Sequence, residues 1–329
     1  MGNDHGVAPI IEGIARSLKE NDRLRFLIHG DKRKLSTHIK FSPEIMRACE
    51  IIACDTVVEM DEKPSSALRS GKNSSMWSAL ESLTNGNADI ALSCGNTGAL
   101  MAMAMIKLRK APGINRPAIA VLWPSLNARG FNIVLDAGAD IKAESSDLLK
   151  YALMGAAYAK NGFNIQLPRL GLLNVGTEAH KGRTELHEAS ILIKAAAKDR
   201  REFEFLGYVE GSDLPSSKVD VIITDGFTGN VALKTGEGTA SLIKHFLKDA
   251  FNKSLYSKLA AILSLSSLRN LNKRIDPRNL NGGVFLGLNG IVIKSHGGAD
   301  SVGVSAAIKL AFQLENSNFS QKLSSQLSD

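Results

Sequence analysis

The 329-residue sequence has few cysteines, few aromatic residues and no long apolar run. Its three cysteines, Cys49, Cys54 and Cys94, form no CxxC pair, so neither a disulfide framework nor a cysteine-ligated zinc site is predicted. The longest apolar run, Ala99–Ile106, falls far short of the roughly 20 residues that a membrane-spanning helix needs. The amino terminus has no basic segment before an apolar stretch, so we predict no signal peptide and expect a reduced, cytoplasmic protein.

Several common catalytic motifs are also missing. The sequence contains no GxGxxG after a first strand, no GxxxxGK[ST] loop, no GxSxG elbow and no HExxH pair, and we expect neither a metal nor a cofactor. The formal net charge of +7 favours anionic partners such as nucleic acid, acidic proteins, anionic lipid or phosphate, and general solubility is the alternative explanation. Nucleic acid is the weakest of these candidates, because aromatic residues make up only 5% and no stacking motif or long basic stripe is present.

Apolar strand-like segments alternate with helical segments along the whole chain. "ADIALS", "FNIVLDAG" and "VDVIITDG" are typical of buried strands, and each is followed by a helical pattern. This alternation predicts an α/β fold with a mostly parallel sheet between two layers of helices. No repeat and no linker divides the chain. We therefore expect a single three-layer α/β/α domain over residues 1–329, interrupted by a helical excursion at about residues 251–276.

Glycine-rich polar loops follow four of the predicted strands and lead into helices. They are "ALSCGNTGA" (91–99), "LLNVGTEAHKG" (172–182), "ITDGFTGN" (223–230) and "IVIKSHGGAD" (291–300), and "VLDAGAD" (134–140) is a weaker fifth example. Ligands of open α/β sheets bind at the carboxyl ends of strands. Each loop also offers backbone N–H groups and a helix N-terminus to an anion. We therefore predict a site for phosphate and a second polar group.

Each loop has an ordinary structural interpretation as well. A Gly-Asn-Thr-Gly turn more often starts a helix than binds phosphate, a lone loop lysine is usually solvated, and a lone histidine is usually a surface group. Cys94 is more often a small buried residue at a strand end than a nucleophile. The functional interpretation depends on the recurrence of such loops at the same end of successive strands.

The ordered motifs resemble the phosphate acyltransferase family of bacterial phospholipid synthesis. The matching stretches include "MGNDHG", "DEKPSSALR", "SCGNTGALMA", "LLNVGTEAHKG", "DGFTGNVALKT" and "GGVFLGLNGIVIKSHGGAD", and they run in family order over nearly the whole chain. One departure is Cys94, which replaces the usual alanine. The resemblance implies a fold similar to those of isocitrate and isopropylmalate dehydrogenases and of phosphotransacetylase.

The resemblance also implies the activity and the partners. The family transfers a long fatty acyl group from acyl carrier protein to inorganic phosphate, without a cofactor. A membrane acyltransferase then uses the acyl phosphate to acylate glycerol 3-phosphate. The family works as a homodimer at the membrane surface, so the chain is expected to be cytoplasmic and peripherally associated with the inner face of the membrane.

Direct attack of phosphate on a thioester needs cations, amide donors and no covalent enzyme nucleophile. Our hypothesis assigns Lys181 or Lys294 as the countercharge, and His296 as the group that protonates the leaving sulfur or only positions phosphate. The candidate catalytic residues are Lys181, Lys294, His296 and Asn230. The candidate substrate-binding and phosphate-binding residues are Asp4, Asn96, Thr97, Gly98, Asp136, Asn174, Asp225, Gly226, Thr228 and Gly229.

The opening "MGNDHG" is a loop without the strand that should precede it. In the family this motif follows a short apolar first strand, and Asn3 here replaces the usual second glycine. Either the start lies upstream of Met1, which we favour, or the sheet has one strand fewer. In the chain as given, we expect Asp4 to lie on a frayed end.

Residues 253–275 depart from the α/β pattern. The apolar register breaks near residues 264–267, which predicts two short helices. The expected membrane contacts are Leu255, Leu259, Ile262 and Leu263. The flanking basic residues are Lys253, Lys258, Arg269, Lys273 and Arg274. Such helices suit an anionic bilayer surface, and a buried helical hairpin at a dimer interface is the alternative. In the family that the sequence resembles, membrane contact and a dimer interface can both occur, because paired helices project from the dimer.

Three rival functions stay open. One is a phosphotransacetylase-like enzyme that uses short-chain acyl-CoA. Another is a non-catalytic scaffold that brings acyl carrier protein to the membrane. The third is a dehydrogenase of similar fold, which would normally show a carboxylate cluster for a divalent metal.

Overall fold

The computed structural model describes residues 2–39, 42–317, 319 and 322. The strands in this part of the chain are β1 (Phe26–Gly30), β2 (Cys49–Ala53), β3 (Ile90–Ser93), β4 (Ala118–Pro124), β5 (Phe131–Leu135), β6 (Arg169–Leu173), β7 (Glu204–Val209), β8 (Val221–Ile223), β9 (Gly283–Leu286) and β10 (Ile291–Lys294). The α-helices are α1 (Ala8–Glu20), α2 (Lys32–Ile39), α3 (Pro43–Ala48), α4 (Pro64–Ser70), α5 (Ser75–Thr84), α6 (Thr97–Leu108), α7 (Ser145–Phe163), α8 (Thr184–Arg200), α9 (Gly226–Asn252), α10 (Leu255–Leu263), α11 (Leu265–Ile275) and α12 (Ser301–Asn316).

Eight strands form the central sheet in the order β3-β10-β9-β4-β5-β8-β6-β7, and β1 and β2 form a separate parallel pair. Parallel pairing joins β3 to β10, β5 to β8, β8 to β6 and β6 to β7. The other three neighbouring pairs are antiparallel. The predicted α/β class with a mostly parallel sheet is therefore confirmed.

The three antiparallel pairs reverse the strand direction in the middle of the sheet. Because β10, β9, β4 and β5 alternate in direction, β3 and β10 run opposite to β5, β8, β6 and β7. The short connections at residues 125–130 and 287–290 account for the antiparallel β4–β5 and β9–β10 pairs, since a parallel crossover needs about a dozen residues or more. The antiparallel pairing of β9 with β4 completes the reversal.

The two halves of the sheet run in opposite directions, but their carboxyl ends meet. One row of paired residues joins Leu92, Ile293, Leu135, Ile223 and Leu172, and each lies within one residue of the end of its strand. The glycine-rich loops that follow these strands therefore start from the same line across the sheet.

Side chains of alternate strand residues pack against helices on opposite faces of the sheet. Ile133 and Leu135 of β5 belong to the core that includes α7, α8 and α12, whereas Val134 faces the other side. The second face packs against α5 and α6, and the first turns of α9 join it through Ala232 and Leu233. The predicted helix layers on both faces are thus present.

The helical excursion consists of two short helices after α9. α10 ends at Leu263, and α11 begins at Leu265 after a break at Ser264. This confirms the predicted division into two helices. The side chains of residues 272–275, which include Lys273 and Arg274, lie outside the described part of the chain.

A cavity of about 800 Å³ separates the β1–β2 pair from β3. Consecutive residues of both strands line it, 26–29 in β1 and 90–93 in β3. Among the described residues β1 pairs only with β2, and β3 pairs only with β10, so the free backbone edges of both strands face the cavity. Protein interiors hold few voids larger than a water molecule, and a buried free edge leaves N–H and C=O groups unpaired.

Two free strand edges that face one cavity are the setting in which an added extended strand can pair on both sides. We expect a fused extension of five alternating valine and isoleucine residues before Met1 to pair with both edges and raise Tm by several degrees. Gly2 lies beside Gly95 at the carboxyl end of β3, so such an extension would run parallel to β1 and β3. Thermal unfolding followed by circular dichroism measures the effect. A matched extension with proline at its centre loses an N–H donor and should give a smaller rise, and equal Tm values for the two fusions would contradict the expectation.

Candidate active site

Lys294 and His296 lie where β10 ends, and Asp4 lies against the loop that follows. The backbone N–H of Asp4 donates to the carbonyl of Gly297 at 3.2 Å, and the Asp4 carboxylate lies next to Gly297 and Gly298. The ammonium of Lys294 donates to the carbonyl of Ser295. Asp4 is therefore held at the site, and the expectation that it frays is wrong. These three predicted residues are brought together.

Lys234 on α9 completes this group, and the sequence analysis missed it. Its Nζ lies 3.4 Å from Nε2 of His296 and 2.8 Å from the carboxylate of Glu237. The available signal was the spacing within "DGFTGNVALKT", because Lys234 is four residues after Asn230 and so shares its helical face. It was overlooked because it lies in the helix, not in the loop. We call Lys234, Lys294 and His296 the cationic cluster.

Burial and mutual repulsion lower the proton affinity of this cluster. Burial lowers the pKa of Lys294 to about 8. The positive charge of Lys234 adds to this shift, and the negative charge of Asp4 opposes it. Partial desolvation and the neighbouring Lys234 also lower the pKa of His296, although its side chain is still exposed, and this favours the neutral imidazole. The cluster therefore combines ammonium groups with a neutral ring.

Cys94 lies beside the cluster, but its buried environment does not favour a nucleophilic thiolate. Burial raises the pKa of its thiol, although Lys294 and Ser295 oppose part of the rise. A thiol, unlike a thiolate, is a poor nucleophile. This supports the structural interpretation of Cys94 as a buried residue at a strand end.

The loop after β3 uses its polar side chain to hold a neighbouring segment. The Asn96 amide donates to the carbonyls of Glu59, Met60 and Glu62 at 3.3, 2.9 and 2.8 Å, and its oxygen accepts the N–H of Ala99 as the N-cap of α6. All of its donors are thereby used, which corrects the prediction that the Asn96 side chain binds phosphate. In the same loop, Thr97 and Gly98 lie in the first turn of α6, where backbone N–H groups have no intrahelical acceptor. Gly98 also packs closely on Pro64.

Two buried carboxylates hold the loops after β5 and β8. Asp136 accepts N–H groups from Ile119, Gly138, Ala139 and Asp140 at 2.7 to 3.1 Å. Burial raises the pKa of Asp136, and these amides oppose part of the rise. With its oxygens engaged in this way, Asp136 stabilises the loop and does not face a ligand, contrary to the prediction.

Asp225 has a comparable structural role as the N-cap of α9. Its carboxylate accepts the N–H and the hydroxyl of Thr228 at 2.8 and 3.0 Å and forms an ion pair with Arg183. These contacts correct the prediction that Asp225 and the Thr228 hydroxyl bind phosphate. Arg183 is 58% exposed on its side chain, and the sequence analysis missed it. It ties the loop after β6 to the start of α9.

Gly226 and Gly229 allow α9 to start directly against the loop after β5. A Cβ at Gly226 would lie 2.5 Å from Oδ2 of Asp136, and one at Gly229 would overlap the Asp136 carbonyl. The N–H of Gly226 donates to the carbonyl of Asp140 at 2.7 Å. Both glycines are thus explained by close packing, and any contact of theirs with phosphate stays a prediction.

The remaining predicted residues lie around the loops after β5, β6 and β8. Asn230 is exposed on the first turns of α9, above Gly138. Asn174 donates to the carbonyl of Lys181 at 2.8 Å, and its buried oxygen has no partner among the described residues. Lys181 pairs with the exposed carboxylate of Glu178 at 2.7 Å, and this contact raises the pKa of Lys181. Its catalytic role stays a prediction.

Comparison with known proteins identifies the family. Residues 1–322 match the family model described as "Fatty acid synthesis protein". The chain belongs to this family. It is 58% identical over 327 residues to the phosphate acyltransferase of Paracoccus denitrificans, with 99% of this chain and 88% of the relative aligned. It is also 58% identical over 327 residues to the phosphate acyltransferase of a Jannaschia species, covering 99% of this chain and 89% of the relative. The resemblance inferred from the motifs is confirmed.

A solved structure supports the fold assignment. The crystal structure of a phosphotransacetylase from Streptococcus pyogenes aligns with a TM-score of 0.62 at 16% identity. The alignment covers 94% of this chain and 92% of that one. At this identity the likeness shows the fold alone, and it agrees with the predicted similarity to the phosphotransacetylase fold.

Proposed function

We propose that the protein is an enzyme that transfers a long-chain fatty acyl group from acyl carrier protein to inorganic phosphate, giving acyl phosphate for phospholipid synthesis. The observation that carries this proposal is the cationic cluster, in a chain whose relatives are phosphate acyltransferases. Two lysines and a neutral imidazole suit an oxyanion with more than one charge. No cofactor takes part in the proposed reaction.

The proposed reaction needs one nucleophilic attack and no acyl-enzyme. An oxygen of phosphate forms a bond to the thioester carbonyl carbon, and the C–S bond of the tetrahedral intermediate then breaks. The leaving thiolate takes a proton from solvent. Lys234 and Lys294 hold the phosphate charge, and the amides of Thr97 and Gly98 or the side chain of Asn230 stabilise the developing oxyanion. The protonated state of Cys94 agrees with direct attack by phosphate.

The proposed partners follow from this chemistry. Acyl carrier protein is the acyl donor, the working state is a homodimer, and the glycerol-3-phosphate acyltransferase of the membrane consumes the product. Acyl phosphate carries a long apolar chain, so its transfer is favoured if the enzyme stays at the cytoplasmic membrane surface. Among the described residues, no helix is long and apolar enough to cross a membrane.

Helices α10 and α11 are the proposed membrane contact. Leu255, Leu259, Ile262 and Leu263 are between 57% and 83% exposed, and basic residues lie close to them in the sequence. Exposed apolar side chains with basic neighbours match an interfacial anchor. A dimer interface in which these side chains are covered is the alternative.

The activity is tested by mixing the protein with long-chain acyl carrier protein and following free thiol. We expect release that depends on added phosphate, and a product that hydroxylamine converts to the hydroxamate. A scaffold would release no thiol, and a phosphotransacetylase-like enzyme would prefer short-chain acyl-CoA in competition. Lys181→Ala in the same assay tests the proposed role of Lys181, with a loss of orders of magnitude expected if it is the countercharge.

The pH dependence of phosphate use tests the role of Lys294. Because its pKa is lowered to about 8, Lys294 loses its charge as pH rises through this value, and kcat/KM for phosphate should fall above about pH 8. Inorganic phosphate is already a dianion there, so the substrate does not cause the fall. Lys294→Arg keeps its charge and should move the fall to higher pH. An identical fall in both proteins would contradict the assignment.

Membrane contact is tested by flotation with liposomes that contain anionic lipid. The double variant Leu259→Glu and Ile262→Glu should lose most of its liposome binding while thiol release in solution is retained, because the changed residues are remote in sequence from the cationic cluster. Lys309→Ala, which removes an exposed charge on α12, serves as the matched surface control. Unchanged flotation of the double variant, or its conversion from dimer to monomer, would favour the dimer-interface alternative.

A further inference from the structure

The two side chains that meet between α9 and the loop after β10 are both hydrogen-bond donors. Nδ1 of His296 accepts the backbone N–H of Gly298 at 3.1 Å. A neutral imidazole has one donor and one acceptor nitrogen, so Nε2 carries the proton when Nδ1 accepts. The ammonium of Lys234, 3.4 Å from Nε2, therefore faces an N–H group and not a lone pair.

The surroundings of His296 do not favour the doubly protonated ring. Desolvation, Lys234 on α9 and Lys294 on β10 disfavour a positive charge on the ring. Glu237 on α9 and Asp4 favour that charge, but the net effect is a lowered pKa of His296. An imidazolium would also turn an Nδ1–H toward the Gly298 N–H. The neutral Nε2–H form is thus the one that fits both contacts.

The ring is also held in position through its backbone. Oδ1 of Asn281 accepts the N–H of His296 at 3.1 Å, and Nδ2 of Asn281 donates to the Ser295 hydroxyl at 2.7 Å and the Gly303 carbonyl at 2.9 Å. Lys234 is held from the other side by Glu237. Two oriented donors this close together share one acceptor position, about 2.8 to 3.0 Å from each nitrogen.

We propose that Lys234 and the Nε2–H of His296 form a donor pair that binds one phosphate oxygen, so that His296 is a fixed hydrogen-bond donor and not the acid that protonates the leaving sulfur. This rests on the proposed function and refines it. It chooses the positioning role of His296 over proton transfer, and it adds Lys234 to the phosphate site. An anionic oxygen between the two donors relieves their otherwise unfavourable approach.

Paired substitutions separate a donor from a proton-transfer group. The amide nitrogen of glutamine can reach the position of Nε2, whereas that of asparagine corresponds to Nδ1. We expect His296→Gln to keep the phosphate Kd within about threefold, and His296→Asn and Lys234→Ala to weaken it about 10- to 100-fold. Lys309→Ala serves as the surface control. Calorimetric titration with inorganic phosphate alone measures these constants without an acyl donor.

A spectroscopic measurement on the unmodified protein tests the same inference without relying on variants. Two-bond ¹H–¹⁵N spectra of ¹⁵N-histidine-labelled protein should show His296 as the neutral Nε2–H tautomer, with and without phosphate. Retention of the wild-type pH profile in His296→Gln is also expected. A protonated or Nδ1–H ring, or a glutamine variant as inactive in kcat as the asparagine variant, would overturn the proposal.

The results also distinguish this proposal from the proposed function. If the wild-type protein binds phosphate as expected but releases no thiol from acyl carrier protein, the function fails and the donor pair stands. If thiol release depends on phosphate but Lys234→Ala leaves the phosphate Kd unchanged, the donor pair fails and the function stands.

Discussion

The buried carboxylate of Asp136 determines where α9 begins, and the candidate site depends on α9. Asp136 binds backbone N–H groups of β4 and of its own loop, and Gly226 packs directly against its carboxylate. A buried carboxylate with several amide donors tolerates little movement, since each lost donor would leave charge unpaired. The start of α9 is thus fixed against β5. Its third turn then carries Lys234 to His296.

The register of the sheet brings these loops together although the strands of its two halves run in opposite directions. The carboxyl ends of β3, β10, β5, β8 and β6 all lie within one residue of a single row across the sheet. Helix α9 begins at the loop after β8 and reaches the loop after β10 through Lys234. Asn230 and Lys234 are one helical turn apart, so one face of α9 spans the loops from both halves of the sheet.

The sequence was sufficient for the secondary structure but not for the role of each polar residue. Hydrophobic alternation predicted the layers, and the register break near Ser264 predicted α10 and α11. The short connections after β4 and β9 were visible in the sequence and could have revealed the antiparallel β4–β5 and β9–β10 pairs, but not the long-range pairing of β9 with β4. Asn96 and Asp225 were assigned to phosphate because asparagine and aspartate at a helix start suit either an anion site or an N-cap. Only the contacts of each side chain distinguish the two.

Charge balance indicates what the cationic cluster is suited to bind. Lys294 is largely buried, its pKa is lowered to about 8, and Lys234 lies close enough to contribute to that shift. Without a ligand, this pair of lysines carries an unfavourable combination of desolvation and repulsion, which Asp4 offsets only in part. An anion with a single charge would offset one lysine, whereas a dianion would offset both and raise the pKa of Lys294 again. The cluster is therefore matched to the charge of inorganic phosphate. The neutral ring of His296 adds a directed hydrogen bond without adding a third positive charge.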